Sequence, residues 1–539
     1  MRDAVVIGSG PNGLVAANLL ADAGWDVEVL EAAAVPGGAV RTAELTEPGF
    51  RHDEFSAFYP LAAASPAIRA LELERFGLRW AHAPLVLAHP ERDGSCAVLS
   101  RRLEETAASL DAFAPGDGEA WVSLYRLWER IGDALLDAMV TPFPPVRAGV
   151  RIVSGVGRGE LARFARTMLL PLRRFGEEHF RGDGGARLVA GNALHTDLTA
   201  DVALGGFYGW LLCCLGQDVG FPSPEGGAGE LTRALVTRLE SLGGVVRCDA
   251  PVRRIDVRGG RAAGVLLEGG EVVNANRAVL ADVSATSLYL RLLERELVSR
   301  RLLEDVRRIH WDNATVKVDW ALDGPIPWSA PDARRAGVVH VVEGLDQLAV
   351  QATELARRRI PARPFLVLGQ YSCLDPSRAP AGKETAWAYT HVPQEVLGDA
   401  GGELTGRWDE AETNVFVARM EDQVEALAPG FRELVRARHV HTPRTLEQAN
   451  ANLVGGAVGG GTAQLHQQFV FRPVPGLGRP ETPVPGLYLA SASAHPGGGV
   501  HGAPGAIAAR AAINARRARR AAYALGGAVA AGALLRRVR

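Results

Sequence analysis

Residues 4–31 read AVVIGSGPNGLVAANLLADAGWDVEVLE. The apolar run "AVVIG" predicts a short buried strand, and "DVEVLE" predicts a second strand by alternation. Between them "LVAANLLADAG" is patterned as a helix and ends at Gly24, a residue suited to a helix C-cap. The turn from strand to helix places Gly8, Gly10 and Gly13 at G-x-G-x-x-G spacing, and Glu31 closes the second strand. The three glycines alone are a weak signal. A strand before them, a helix after them and an acid at the end of the next strand make the segment a dinucleotide cradle. Gly8 permits the tight turn, Gly10 lets a pyrophosphate reach the backbone, and Gly13 lets helix pack on strand. Pro11 and Asn12 belong to the same cradle. The helix N-terminus offers unpaired N–H groups and partial positive charge to the phosphates. Glu31 is placed to accept hydrogen bonds from a ribose hydroxyl pair.

The continuation "EAAAVPGGAVRT" (31–42) separates two cofactor classes. Gly37, Gly38 and Arg41 follow Glu31 as E-x5-GG-x2-R, a flavoprotein-like extension that a nicotinamide dehydrogenase does not require. No second G-x-G-x-x-G follows a strand, and "SGVGRG" (154–159) has the wrong spacing. The cofactor expected is FAD, with electrons arriving from the substrate and not from NADPH.

Composition bounds the rest. The chain has 539 residues, 47% hydrophobic and 22% charged, which is globular composition and more than one compact core usually accommodates. Its 59 basic and 61 acidic residues leave a net charge of −2, so nucleic acid is not expected as a partner. Lys317 and Lys383 are the only lysines. The five cysteines include no CxxC pair and no zinc-type spacing, which predicts no metal site and a reducing, cytoplasmic setting. Vicinal Cys213 and Cys214 in "GWLLCCLG" read as core thiols. No signal-peptide pattern opens the sequence and no apolar run is long enough to span a bilayer. The tail "NARRARRAAYALGGAVAAGALLRRVR" (514–539) is basic with a weak apolar stretch. It reads either as a peripheral contact with an anionic membrane or as a solvated or frayed terminal helix.

Along the chain, residues 61–215 read as mainly helical, 225–244 as a glycine loop then a helix, and 245–282 as strands with tight turns. Residues 311–321 and 364–372 read as strands around a helix at 345–359, and 486–491 as a strand followed by a helix from about Gly505. The expected fold is α/β. A Rossmann-like FAD-binding domain is assembled from residues 1–60, 220–295 and 465–515. An inserted α+β substrate domain comprises residues 61–219 and 296–464, and 516–539 form the tail.

Late in the chain lies "SASAHPGGGVHGAPG" (491–505). Three consecutive glycines, Gly497, Gly498 and Gly499, carry a large entropic cost on folding and predict a backbone that approaches something closely. Together with the N-terminal motif, this stretch resembles the phytoene desaturase-like FAD-dependent oxidoreductases of the carotenoid desaturase and amine oxidase superfamily. Within them it resembles the branch labelled pyridine nucleotide-disulfide oxidoreductase domain-containing protein 2. "FPSPEGGAGELTRAL" (221–235), "LDPSRAPAGKETAWAYTHVP" (374–393) and "NLVGGAVGGG" (452–461) carry the same resemblance.

The resemblance implies a substrate domain above the flavin and a tunnel for an apolar or elongated substrate. It also implies removal of hydrogen across a C–C or C–N bond. It implies that the backbone of Val252 contacts the adenine, and that Gly497, Gly498 and Gly499 lie against the flavin ring, with the following helix aimed at the edge that gains charge. Disulfide chemistry is not expected without CxxC. Related amine oxidases place an acid just after the C-terminal strand, where this chain has "SASA". Relatives with covalent flavin use a cysteine there, so noncovalent FAD is expected.

Four residues are candidates for catalysis. His495, in "HPGG", either orients flavin or substrate and moves a proton, or only fixes the turn before Pro496. His195 and Asp197, in "NALHTDL", form a base and its orienting acid, or a cap. Lys317, in "ATVKVDWA", shares a strand face with Asp319. It either stands over flavin N5 through a water, as in amine-oxidase relatives, or faces solvent. His52 and Asp53 either line the cleft or sit on a solvated turn. The expected activity is dehydrogenation or desaturation of a small apolar or secondary-metabolite substrate, with oxygen or a quinone as electron acceptor. The alternatives are a flavin amine oxidase and a non-catalytic flavin-binding scaffold.

Overall fold

The computed structural model describes residues 2–515. The basic tail therefore lies outside the described residues. The N-terminal strand, Arg2–Ile7, is the centre of a seven-stranded sheet. It pairs in parallel with Val27–Leu30 on one side and Val272–Ala281 on the other. Parallel strands Val245–Arg247 and Leu487–Leu489 extend the sheet on either side. Strand Val272–Ala281 is long enough to serve twice. Its last residues join the parallel sheet, and its first residues pair antiparallel with Arg261–Leu267, which in turn pairs with Val252–Arg258. Three segments far apart in sequence thus build one Rossmann-like sheet.

The sheet is covered on both faces, as parallel sheets require. Alternate side chains of the first strand go to opposite cores. Ala4 and Val6 pack with Leu14 and Val15 of helix Pro11–Asp22, with Leu231 and Leu235 of helix Gly229–Ser241, and with Ala506 of a helix over 503–515. Val5 and Ile7 pack with Ile255, Val265, Leu288 and Val306 on the other side.

A second seven-stranded sheet runs Val435–His441, Ala314–Leu322, Glu384–Val392, Leu366–Gln370, Ala336–Val341, Leu85–Pro90, Cys96–Leu99 in spatial order. All its neighbours are antiparallel except Ala336–Val341 with Leu85–Pro90. One face is apolar: Val316, Val318, Trp320, Leu366, Leu368 and Ala388 pack on Phe416, Val417 and Met420 of helix Glu410–Glu425. The other face meets the helical layer, where Trp387 and Val367 pack with Val189 and Trp210. Cys213 and Cys214 are buried in that layer, and burial pushes both thiols upward in pKa.

The strands Leu85–Pro90 and Cys96–Leu99 interrupt the region 61–215 that reads as mainly helical. Among the described residues no helix is long and apolar enough to cross a membrane.

Candidate functional site

The glycine turn has no room for side chains. Gly8 holds φ at +92°, and a Cβ there would stand 2.7 Å from the Asp282 carbonyl oxygen. A Cβ on Gly10 would stand 2.7 Å from Asp282 Oδ2, and one on Gly13 only 2.2 Å from the Gly8 carbonyl oxygen. Pro11 takes the first helical position, where no N–H is needed, and no side chain caps the helix. Asn12 is buried and its Oδ1 meets no partner among the described residues. The Glu31 carboxylate accepts from Ser9 N at 2.9 Å, Ser9 Oγ at 2.6 Å and Ala33 N at 2.9 Å. The Glu31 carbonyl accepts from Ala250 N at 2.8 Å. That bond sets Val252, two residues on, at the start of its hairpin strand beside the cradle.

Asp282 lies beneath this turn. Its Oδ2 accepts from Gly13 N at 2.8 Å, and the group is buried at the end of strand Val272–Ala281. Burial pushes its carboxyl up to about 7, the Gly13 N–H opposes that, and the charge of Glu31 adds to it. Sequence reading missed Asp282. The signal was an acid in "VLADVSA" at the carboxyl end of the strand beside the first one, where ligands of such sheets gather.

Gly37 and Gly38 press the next segment against the cradle. Gly37 N donates to Ser9 Oγ at 3.1 Å, and a Cβ on Gly38 would stand 3.0 Å from Gly10 Cα. Arg41 makes two bonds to Glu54, at 3.0 and 2.9 Å, and lies 5.0 Å from the Phe55 ring centroid.

The three late glycines pack on protein through their missing side chains. A Cβ on Gly498 would stand 2.5 Å from the Gly459 carbonyl oxygen, one on Gly497 would stand 3.0 Å from Arg472 Cζ, and one on Gly499 would stand 2.8 Å from Leu61 Cδ1. Two glycine-rich loops, 454–461 and 497–499, are therefore stacked on each other. Arg472 locks them together. It is buried, and its guanidinium donates to the carbonyls of Gly459 and Ala492 at 2.8 Å and of Thr462 at 3.1 Å. No carboxylate among the described residues lies within ion-pair distance of it, and burial lowers its pKa. Asp312 anchors the same loop, accepting from Val458 N and Gly459 N at 2.8 Å each.

The helix that follows begins at residue 503. A Cβ on Gly505 would stand 1.9 Å from the Asn12 carbonyl oxygen. Two helix N-termini nearly five hundred residues apart in sequence therefore meet side by side, concentrating positive partial charge at one place.

His495 lies edge-on to Phe143, 6.2 Å between centroids, and 6.4 Å from Phe469. Burial, then the charge of Arg472, pushes its imidazole down to about 4.

His195 and Asp197 are not a pair. Asp197 accepts from Thr462 Oγ1 and, at 2.8 Å, from Ala463 N, so it pins the glycine loop. His195 Nε2 instead meets His340 Nε2 at 2.9 Å. Burial pushes His195 down to about 4 and His340 further, so both are neutral at pH 7 and one must donate to the other. His195 and Asp197, two residues apart, carry their side chains to different elements, which spacing alone did not reveal.

Lys317 is buried, which overturns the solvated-face alternative. Its Nζ sits 2.5 Å from both oxygens of Asp319 and donates to the Asp53 carbonyl at 3.0 Å. His52 and Asp53 are also fully buried, so neither is on a solvated turn. Asp53 pairs with Arg378 at 2.9 Å and accepts from Tyr371 OH at 2.5 Å, while Arg378 stacks 3.9 Å from the Tyr371 ring centroid. Burial pushes the His52 imidazole down to about 3, with the Lys317 charge adding to it.

These groups share one sheet face. Across strands Thr315 faces His391, Lys317 faces Tyr389 and Asp319 faces Trp387. Trp387 and Tyr389 stack at 6.0 Å, and Phe58 stacks on Tyr371 at 5.7 Å. The face is rich in aromatic rings, and its charges are neutralised in pairs. A separate open cleft of about 1030 Å³ is lined by Glu91, Arg187, Glu343, Arg363 and Asp422, which does not suit an apolar substrate.

The family of flavin containing amine oxidoreductases matches residues 12–512. Pyridine nucleotide-disulfide oxidoreductase domain-containing protein 2 of Rattus norvegicus is 30% identical, covering 93% of this chain and 92% of its own length. The all-trans-zeta-carotene desaturase of Myxococcus xanthus is 26% identical, over 93% of this chain and 90% of its own. Among solved structures, a putrescine oxidase bound to putrescine superposes with a TM-score of 0.59 at 17% identity, covering 96% of this chain and 99% of its own. An oxidoreductase from Methanosarcina mazei also gives 0.59 at 16% identity, covering 95% and 99%. The structural likenesses speak to the fold. The glycine cradle, with no space for a Cβ and an unpartnered buried Asn12 Oδ1, fits a dinucleotide such as FAD.

Proposed function

The chain belongs to the flavin containing amine oxidoreductase family and is an FAD-dependent oxidoreductase, and from that premise we propose that it dehydrogenates a carbon–carbon bond of an apolar, isoprenoid-like substrate. When bound, FAD supplies the two-electron oxidant, accepting hydride at N5. Oxygen or a quinone takes the electrons onward, and the flavin is held without a covalent bond. In this reading Gly8, Gly10, Pro11, Asn12 and Gly13 cradle the pyrophosphate, with Glu31 on the ribose and Val252 at the adenine. Gly37, Gly38 and Arg41 flank that cradle, and the stacked loops of Gly497, Gly498 and Gly499 form the opposite wall. The converging helix N-termini stabilise negative charge beside the ring. The division at residues 60, 220, 295 and 465 between flavin and substrate domains belongs to the same proposal.

The observation that carries the choice of an apolar substrate is the state of the buried carboxylates. A buried ammonium group calls for a free anion to pair with it. Asp319 is neutralised by Lys317, Asp53 by Arg378, and Asp197 is spent on backbone and hydroxyl donors. What is left on that face is aromatic surface from Trp387, Tyr389, Phe58 and Tyr371. His195 and His340, hydrogen-bonded to each other and neutral at pH 7, add no charge to that face. Incubating the FAD-loaded chain with phytoene and a soluble quinone tests this. A product two mass units lighter, with a longer-wavelength polyene band, supports the reading. Oxidation of putrescine with no change in phytoene favours the amine alternative.

A further inference from the structure

We propose that Arg472 is the cation that balances the negative charge of the reduced flavin, acting across the stacked glycine loops that it holds. The inference rests on the flavin reading and on the late glycines lying against the ring, and it adds a residue that neither glycine motif contains. Arg472 carries a charge that nothing in contact with it neutralises. It is 2% exposed. Its Nε donates to the Ala492 carbonyl at 3.2 Å, its Nη1 to the Thr462 carbonyl at 3.1 Å, and its Nη2 to the Gly459 and Ala492 carbonyls at 2.8 Å each. All of these acceptors are neutral, so the hydrogen bonds are satisfied and the charge is not. Buried cations are ordinarily paired, as Lys317 is with Asp319 and Arg378 with Asp53. The acids whose charges Arg472 feels are Asp312 and Asp197, and neither is within ion-pair distance. Asp312 is spent on Val458 N and Gly459 N, and Asp197 on Thr462 Oγ1 and Ala463 N. A lock alone needs donors and no charge. The same Thr462 carbonyl is already held by a neutral amide, Gln468 Nε2, at 2.7 Å.

The position of the charge gives it a purpose. A Cβ on Gly497 would stand 3.0 Å from Arg472 Cζ, so the guanidinium lies against the first of the three late glycines. Its field reaches both ends of that loop. Burial pushes the imidazoles of His495, before the glycines, and His501, after them, down to about 4, and the Arg472 charge adds to the push on both. Residues 491–505 contain no acid that would offset it. When hydride leaves the substrate carbon and bonds to flavin N5, the ring gains one negative charge along with the electron pair. The helix that follows the glycines offers partial positive charge over its first turn. A whole charge, fixed in a medium of low dielectric beside the same loop, adds to that and needs no reorganisation when the electrons arrive. Arg472 thereby makes the bound flavin a stronger oxidant.

The test is the midpoint potential of the FAD-loaded, full-length chain, read by anaerobic reduction beside reference dyes, for wild type, Arg472→Gln and Arg472→Lys. No substrate is needed, so the result is independent of which bond the enzyme oxidises. Arg472→Gln is expected to weaken the hold on reduced relative to oxidised flavin about tenfold, read as a fall of about 30 mV in the two-electron potential. Arg472→Lys keeps the charge with fewer donors, and it is expected to stay near the wild-type potential even where its melting temperature falls. An unchanged potential in Arg472→Gln overturns the inference. Equal falls in the two variants overturn it too, because they assign the effect to loop shape. Should Arg472→Gln fold poorly, wild type carries the test: its bound flavin is expected to be a stronger oxidant than free FAD, and a bound potential below that of free FAD overturns the inference. A chain that takes up no FAD contradicts the flavin assignment and this inference with it, whereas a loaded chain with any of the other adverse results contradicts this inference alone.

Discussion

Lys317 Nζ lies 2.5 Å from both carboxylate oxygens of Asp319, inside a sheet face where each is almost fully buried. Two residues apart on one strand, they point the same way and neutralise each other. The lysine is thus committed to its neighbour and to the Asp53 carbonyl, and it is not a free cation.

Removing one partner of such a pair leaves a buried charge without compensation. Lys317→Met is expected to destabilise the chain by about 3–5 kcal/mol, whereas Lys317→Met combined with Asp319→Leu costs much less. Denaturant unfolding of the two single variants and the double variant measures this coupling. Simple additivity would show that the pair does not interact as described.

Gly13 sits where a Cβ would be 2.2 Å from the Gly8 carbonyl oxygen. Backbone faces backbone there, so no flexible side chain can yield. Gly13→Ala is expected to cost roughly 2–4 kcal/mol and to give protein purified without yellow colour. An alanine variant with full flavin content and unchanged melting would show that helix and strand are not packed this closely.

Asp282 predicts a pH dependence. In the folded chain its carboxyl keeps its proton up to about 7, against 3.8 for the ordinary group. Between those values the folded state binds more protons than the unfolded state. This group's contribution therefore turns unfavourable as pH rises from about 4 through 7, and the full cost is present above 7. Asp282→Asn keeps an acceptor for Gly13 N–H and removes the titration. On flavin-stripped protein, its stability relative to wild type is expected to rise by about 2–4 kcal/mol between acid and mildly alkaline pH. A difference that stays flat across that range, in paired urea titrations, would contradict this.

Much of the cradle was legible in the sequence because it is local. Gly8, Gly10, Gly13 and Glu31 lie within one strand–turn–helix–strand unit, and short-range spacing brings them together. The substrate side was not. Asp53, Arg378 and Tyr371 meet from segments more than three hundred residues apart, and no period links them. For His195 the sequence offers Asp197, two residues on, as partner, and the fold supplies His340, 145 residues away, instead. The late glycines illustrate a third case. Their close approach was readable from composition, but the loop of Gly459 and the guanidinium of Arg472 that receive them were not. Strands such as Leu85–Pro90 escaped because a short run buried on both faces lacks alternation.

The central claim, that this flavoenzyme oxidises an apolar carbon chain, is tested most directly by anaerobic mixing of the FAD-loaded protein with phytoene and, separately, with putrescine, following the oxidised flavin absorbance. The account predicts that phytoene bleaches the flavin band and putrescine leaves it intact. Bleaching by putrescine, with phytoene inert, would contradict it.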